Sequence, residues 1–267
     1  MISAAFSAYH PITADTFAAD ELTRGPWDVG HQHAGPPTAL VCRAIERAAA
    51  AHGLTHMARL TANLLRPVLL GEVTVTVRED YAGRNAAHYA ASLSCGGKEA
   101  ARFTALMQRD VETPTPAGTP GHPLPAAPRR PDDCEQVEMP FAERQRGYAD
   151  LIENRIAEGR LWHGACSVWF RMRHPLVDGE SPSPYQRVAV AADSGNGISA
   201  VLDFARYSFV NCDLTINLLR RPVGEWICLA ARTELGGNGC GLAESALYDE
   251  AGLIGRATQS LAVRLRT

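Results

Sequence analysis

Three polar side chains stand in apolar company in this chain of 267 residues. Asp193 ends the run "VAVAA", Asn211 interrupts "SFVNCDL" and Gln259 interrupts "RATQSLAV". A carboxylate on an apolar helical segment is costly to bury alone, and burial raises its pKa, so a donor has to meet it. The plainer reading of Asp193 is an Asp that ends a helix before Ser194-Gly195, where turn chemistry is common. Amides on strands, such as Asn211 and Gln259, ordinarily face solvent.

Other chemistry-bearing patterns lead elsewhere. His31, His33, His52 and His56 have no Cys or carboxylate cluster at ligand spacing beside them, so no metal site is expected. No G-x-S-x-G elbow is present, which argues against a serine hydrolase. Cys212 reads as a buried strand residue with no paired His, a poor nucleophile. "GGNGCG" (236–241) joins two strands rather than a strand and a helix, so it is a hairpin loop and not a phosphate cradle. Arg66, Arg220 and Arg221 could meet phosphates or serve as paired edge charges, and no phosphate site is assigned from them.

The elements that must carry these residues follow one plan twice. After mixed sequence to about residue 30, residues 36–52 form a helix with two prolines at its start and Leu40, Val41, Ala44, Ile45 and Ala48 at helical spacing. Four strands follow, the clearest being "EVTVTVRED", where Val73, Val75 and Val77 alternate. The second half has a strand over 164–174, a helix from 185 that continues toward 207, and then four more strands. Between the halves, residues 111–140 hold eight prolines and little apolar periodicity, as expected of an extended surface linker. The organisation is therefore a unit over 1–110, a linker over 111–140 and a unit over 141–267. An opening strand, a helix and an antiparallel meander make an α+β plan in which a sheet wraps the helix. Two such sheets joined edge to edge would cover two exposed edges.

The halves are also alike letter by letter. "LTANLLRP" from Leu60 and "LTINLLRRP" from Leu214 agree in six of their first seven letters, 154 residues apart. Arg78 and Arg232, Gly83 and Gly237, Leu93 and Leu247, and Arg102 and Arg256 match at the same offset. This period is too long for a solenoid and reads as a duplicated domain.

Composition limits the alternatives. A net charge of −3 leaves no footprint for nucleic acid, and no stretch approaches the roughly 20 apolar residues of a membrane span. Seven cysteines, none in C-x-x-C, read as small buried thiols in a reducing cytoplasm.

The second half carries "AVAAD", "NCDLTINLLRRPVGEW" and "ESALYDEAGLIGRATQSLAVR" in that order. Together with the doubled plan, these resemble the double hot-dog acyl-CoA thioesterases, closest to the thioesterase II type of bacteria and peroxisomes. The resemblance covers most of the chain. It implies a double hot-dog fold and hydrolysis of fatty acyl-CoA to free acid and CoA in lipid metabolism, with no cofactor and possible dimers or tetramers. The family's catalytic set is an Asp on the helix, a Thr or Ser on the next strand and a Gln on the last. By position these fall on Asp193, Asn211 and Gln259, with an amide where the family has a hydroxyl. Thr215, on the same strand, is a hydroxyl that could substitute, since alternation puts it on the face of Asn211. His33 could line a groove shared by the halves, although an ordinary loop His is the commoner case.

The repeat separates these residues from the scaffold. Asn211 matches Met57, Gln259 matches Ala105, and Asp193 falls near Arg43 at the helix. The second half alone keeps the acid and amides, which suits a water activated by Asp193 and held by Asn211 and Gln259 against a thioester carbonyl. The rival readings are an acyl-CoA or lipid binder without catalysis, favoured by Asn in place of Thr, and a hot-dog hydratase. The latter would want a D-x-N-x-x-H pair that is absent here.

Overall fold

The structure is a computed structural model that describes residues 6–113, 126–139 and 145–266. Short strands β1 (Tyr9–Pro11) and β2 (Thr16–Ala19) precede helix α1 (Gly35–Ala50). The meander is β3 (His56–Leu64), β4 (Glu72–Ala82), β5 (Ala86–Cys95) and β6 (Lys98–Gln108). The second half opens with β7 (Glu135–Val137), the single turn α2 (Tyr148–Leu151), β8 (Ile152–Gly159) and β9 (Cys166–Met172). Helices α3 (Pro184–Ala192) and α4 (Gly195–Ile198) follow. The chain closes with β10 (Tyr207–Asn211), β11 (Asp213–Leu218), β12 (Ile227–Leu235), β13 (Cys240–Asp249) and β14 (Gly252–Leu265).

The order β2-β4-β5-β6-β3 in the first half is matched by β9-β12-β13-β14-β11 in the second. The two join through β3 and β11 into one 14-stranded antiparallel sheet, which leaves neither central edge exposed. At this join Thr61 faces Thr215, and these are the same letter of the repeat. The local twofold axis of the duplication therefore passes between them. This is a double hot-dog fold.

Helices α1 and α3 fill the concave side. Leu40, Val41, Ile45 and Ala49 of α1 are buried, as is α3 on every side from Val188 to Ala192. A helix apolar all round has to be a core helix. The α1 and α3 helices cross closely. A Cβ at Gly35, the first residue of α1, would overlap the Val190 carbonyl oxygen and come within 3.2 Å of its carbon. Glycine is needed there for contact, not for an unusual φ.

Three expectations change. The second helix does not run toward 207: α3 stops at Ala192 and a separate turn, α4, follows. Part of the Pro-rich segment is regular structure, since β7 pairs with β8 at the end of the sheet. Residues 114–125 and 140 of that segment lie outside the described residues. Cys212 and Cys240 are exposed, not buried like the other five cysteines.

Cys212 is exposed because the strand is irregular there. Asn211 pairs with Leu261, but Thr215 pairs with Thr258, a register shift of one residue between β10 and β11. Phe209 is buried and Asn211 bonds the buried Asp193 while Val210 and Cys212 are exposed, and then Leu214, Ile216 and Leu218 are the buried positions. Side-chain parity has flipped, the signature of a β-bulge. The Asp213 carboxylate occupies the gap, accepting from the Ser260 backbone N–H at 2.6 Å. Thr215 therefore lies on the face opposite Asn211 and hydrogen-bonds Thr61 at 3.3 Å. It does not substitute for Asn211, because alternation does not survive an extra residue. The first half has its own shift between Met57 and Arg59, the matching place in the repeat.

Candidate active site

Asp193 caps the C-terminal end of α3 and is 6% exposed. One carboxylate oxygen, Oδ1, accepts from Nδ2 of Asn211 at 2.8 Å. The other, Oδ2, lies 3.1 Å from Nδ1 of His33, which comes from the loop before α1 in the other half. The Gly35 N–H also donates to that Nδ1, at 3.1 Å. The carboxylate thus sits by the N-terminal end of α1.

Gln259 serves the backbone. Its Oε1 accepts from the Asn196 N–H at 2.9 Å and its Nε2 donates to the Asp193 carbonyl at 3.1 Å. It thereby bridges the break between α3 and α4 and fixes the residue that carries the carboxylate. The close fit depends on Gly195, where a Cβ would come within 2.9 Å of Gln259 Oε1 and of Ser245 Oγ. Asp193 and Asn211 face the same cavity, while Gln259, 2% exposed, lies behind them.

His33 is held flat. Its ring stacks on Tyr148, with centroids 3.7 Å apart and planes 4° from parallel. Tyr148 is anchored by donating to the Val190 carbonyl at 2.8 Å and by a 3.0 Å contact with Ser194 Oγ. Burial lowers the His33 pKa, and the nearby Asp193 charge offsets part of that drop. Burial raises the Tyr148 pKa well above its ordinary value, so its hydroxyl keeps its proton.

A cavity of about 900 Å³ opens over Asp193, Asn211 and His33. Its apolar walls include Trp27, Trp162, Phe204 and Phe209. Phe204 touches the other three rings at centroid distances of 4.8–5.0 Å. Trp162 has φ of 65°, and among the described residues it is the non-glycine residue with positive φ. Strain of this kind concentrates at binding sites.

The matching positions in the first half are filled by buried side chains. Arg43, at the position of Asp193, is buried and forms two 2.6 Å hydrogen bonds with Glu180. Met57 and Ala105, matching Asn211 and Gln259, are core residues 2% and 1% exposed.

Models of the acyl-CoA thioesterase N-terminal and C-terminal domains match residues 23–108 and 131–263. The chain belongs to the acyl-CoA thioesterase family. It is a thioester hydrolase. A candidate thioesterase II from Thermobifida fusca shares its fold at 17% identity and TM-score 0.74, covering 98% of this chain and 96% of that one. A hot-dog protein of unknown function from Alicyclobacillus acidocaldarius matches at 15% identity and TM-score 0.69, over 96% of each chain. The acyl-CoA thioesterase II TesB2 from Mycobacterium marinum matches at 15% identity and TM-score 0.67, over 97% of this chain and 95% of that one. No curated protein matches significantly in sequence.

The approach of His33 to Asp193 was not legible in the sequence, since the two are 160 positions apart and meet only when the halves pack. The pattern "HQHAGPP" before a helix was the available signal. Tyr148 carried none.

Proposed function

We propose that this thioesterase hydrolyses fatty acyl-CoA to free acid and CoA with a water activated at Asp193. The observation that supports this most is the single carboxylate that is buried, held by a 2.8 Å amide bond and open to a large apolar cavity. Asp193 takes a proton from water as general base. Asn211, where the family has a hydroxyl, orients the carboxylate through its Nδ2. Gln259 acts as a positioning residue that fixes the Asp193 backbone. The acyl chain lies along the apolar walls, and Arg66, exposed at the cavity edge, is available to CoA phosphates. Its repeat mate Arg220 is not available, because it is bound to Asp249. Residues 1–110 and 141–267 are the two hot-dog units, joined through 111–140. Cytoplasmic residence and association into dimers or tetramers belong to this reading. No described helix is long and apolar enough to cross a membrane.

The test is CoA release by purified protein over a ladder of acyl-CoA chain lengths, with Asp193→Ala alongside. Loss of about two to four orders of magnitude in kcat is expected for removal of a general base. Equal turnover by the variant would remove Asp193 from the mechanism. Tight acyl-CoA binding without CoA release by either protein would make the chain a binder instead.

A further inference from the structure

We propose that His33 is a second catalytic residue, which protonates the departing sulfur of CoA while Asp193 takes the proton of the attacking water. This rests on the reading of Asp193 given above and adds the fate of the leaving group.

The argument begins at Nδ1. The Gly35 N–H donates to it, so Nδ1 offers a lone pair and the ring proton of the neutral imidazole is on Nε2. Asp193 Oδ2 stands 3.1 Å from the same atom. Two acceptors at this distance repel while nothing lies between them. A proton arriving on Asp193 converts the repulsion into an O–H···N hydrogen bond. A proton taken from water by Asp193 thus has an acceptor waiting at this gap.

The other ring edge is free to act. Among the described residues Nε2 has no hydrogen-bond partner, yet it is not among the buried atoms left unpaired. It is therefore accessible, and the open space that His33 lines is the cavity. Tyr148 faces the ring from α2 and keeps its proton, so it does not compete. Asp193 faces it from the end of α3, and the Gly35 amide from the start of α1. Arg24 also lines the cavity, but it is occupied by Glu21 and the Arg146 carbonyl. With burial lowering its pKa, His33 is neutral at pH 7 and has one proton to give.

The step balances. A water O–H bond breaks as its oxygen bonds the thioester carbon, and the proton goes to Asp193. When the tetrahedral intermediate collapses, the C–S bond breaks and its electron pair leaves on sulfur. Sulfur takes the Nε2 proton, and Nδ1 takes the proton from Asp193. The acid and thiol are released, the carboxylate is restored, and the imidazole stays neutral with its proton moved to Nδ1. Exchange with water in the emptied cavity resets the tautomer. Protonation assists because even a cysteine thiol has a pKa of about 8.5, so a thiolate of this kind is a basic leaving group at pH 7.

The experiment compares two thioesters of one acyl group, the CoA ester and a nitrothiophenol ester whose thiolate needs no proton. For His33→Ala, kcat/KM on the CoA ester should fall by about a hundredfold, the low end of acid catalysis. On the aryl ester it should stay within about threefold. Equal losses on both esters would mean that His33 only positions Asp193, and no loss on either would remove it altogether; both overturn the proposal. His33→Phe keeps a flat ring on Tyr148 and should repeat the split should the Ala variant fold poorly. Asp193→Ala run in parallel should fail on both esters. If it alone stays active, the Asp193 reading falls while the leaving-group split still reports on His33.

Discussion

Gly35→Ala is the most direct test of whether the site depends on the crossing of α1 and α3. The new methyl would be driven into the Val190 carbonyl, whose carbon already lies 3.2 Å from the ideal Cβ position. Backbone atoms on both sides cannot rotate away, so the helices must separate by roughly 1 Å, at an overpacking cost of about 1–3 kcal/mol. At about 2–4 °C per kcal/mol for a chain of this size, Tm should fall by roughly 2–12 °C. His33 leaves the start of α1 and Asp193 ends α3, so the same shift opens their 3.1 Å contact. A misplacement of about 1 Å is worth up to a hundredfold in rate, so kcat/KM for acyl-CoA should fall toward 1% of wild type even where the protein is folded. Differential scanning calorimetry and CoA release on one preparation read both effects. Gly197→Ala, which meets nothing within 4 Å, is the control for Tm. Wild-type Tm and kcat/KM in Gly35→Ala would refute the claim that this crossing sets the geometry.

Two further outcomes follow from the same structure. Thr215→Val should keep kcat/KM within about twofold, since its hydroxyl meets Thr61 across the sheet join and lies on the far side of the bulge from Asn211; a large loss of activity would contradict the parity flip. The lowered pKa of His33 gives a signed dependence of stability on pH. Between the folded value and the unfolded value near 6.5, the unfolded chain binds more protons, so His33 destabilises the fold as pH falls through that window. His33→Phe should therefore lose less Tm than wild type between pH 7.5 and about 5.5, and parallel Tm curves for the two proteins would show that His33 is not held neutral.

Much of the architecture was legible because the duplication wrote it twice. Strands β5 and β13 start and end at the same offset of 154 residues, and so do the shifts beside Ala58 and Cys212. Asp193 was legible as a carboxylate on an apolar helix. The end of that helix was harder to read, because the Gln259 side chain, 66 positions away, takes up the backbone groups of the break. The bulge escaped notice because no glycine marks it; the Asp213 side chain replaces a ladder partner through a bond only the folded chain can make. Strands β7 and β8 were missed because prolines dominated one and the other lacks alternation, with Ile152, Glu153 and Asn154 all buried in succession.

The paired irregularities beside Met57 and Asn211 have a consequence for how a fused chain differs from two identical subunits. Each kink turns one side chain inward at the same spot of its own copy. Two separate but identical polypeptides would have to present the same group at both spots, whether oily or polar. Fusion lifts that constraint, and here one dent is plugged with a thioether while its twin holds a carboxylate in place.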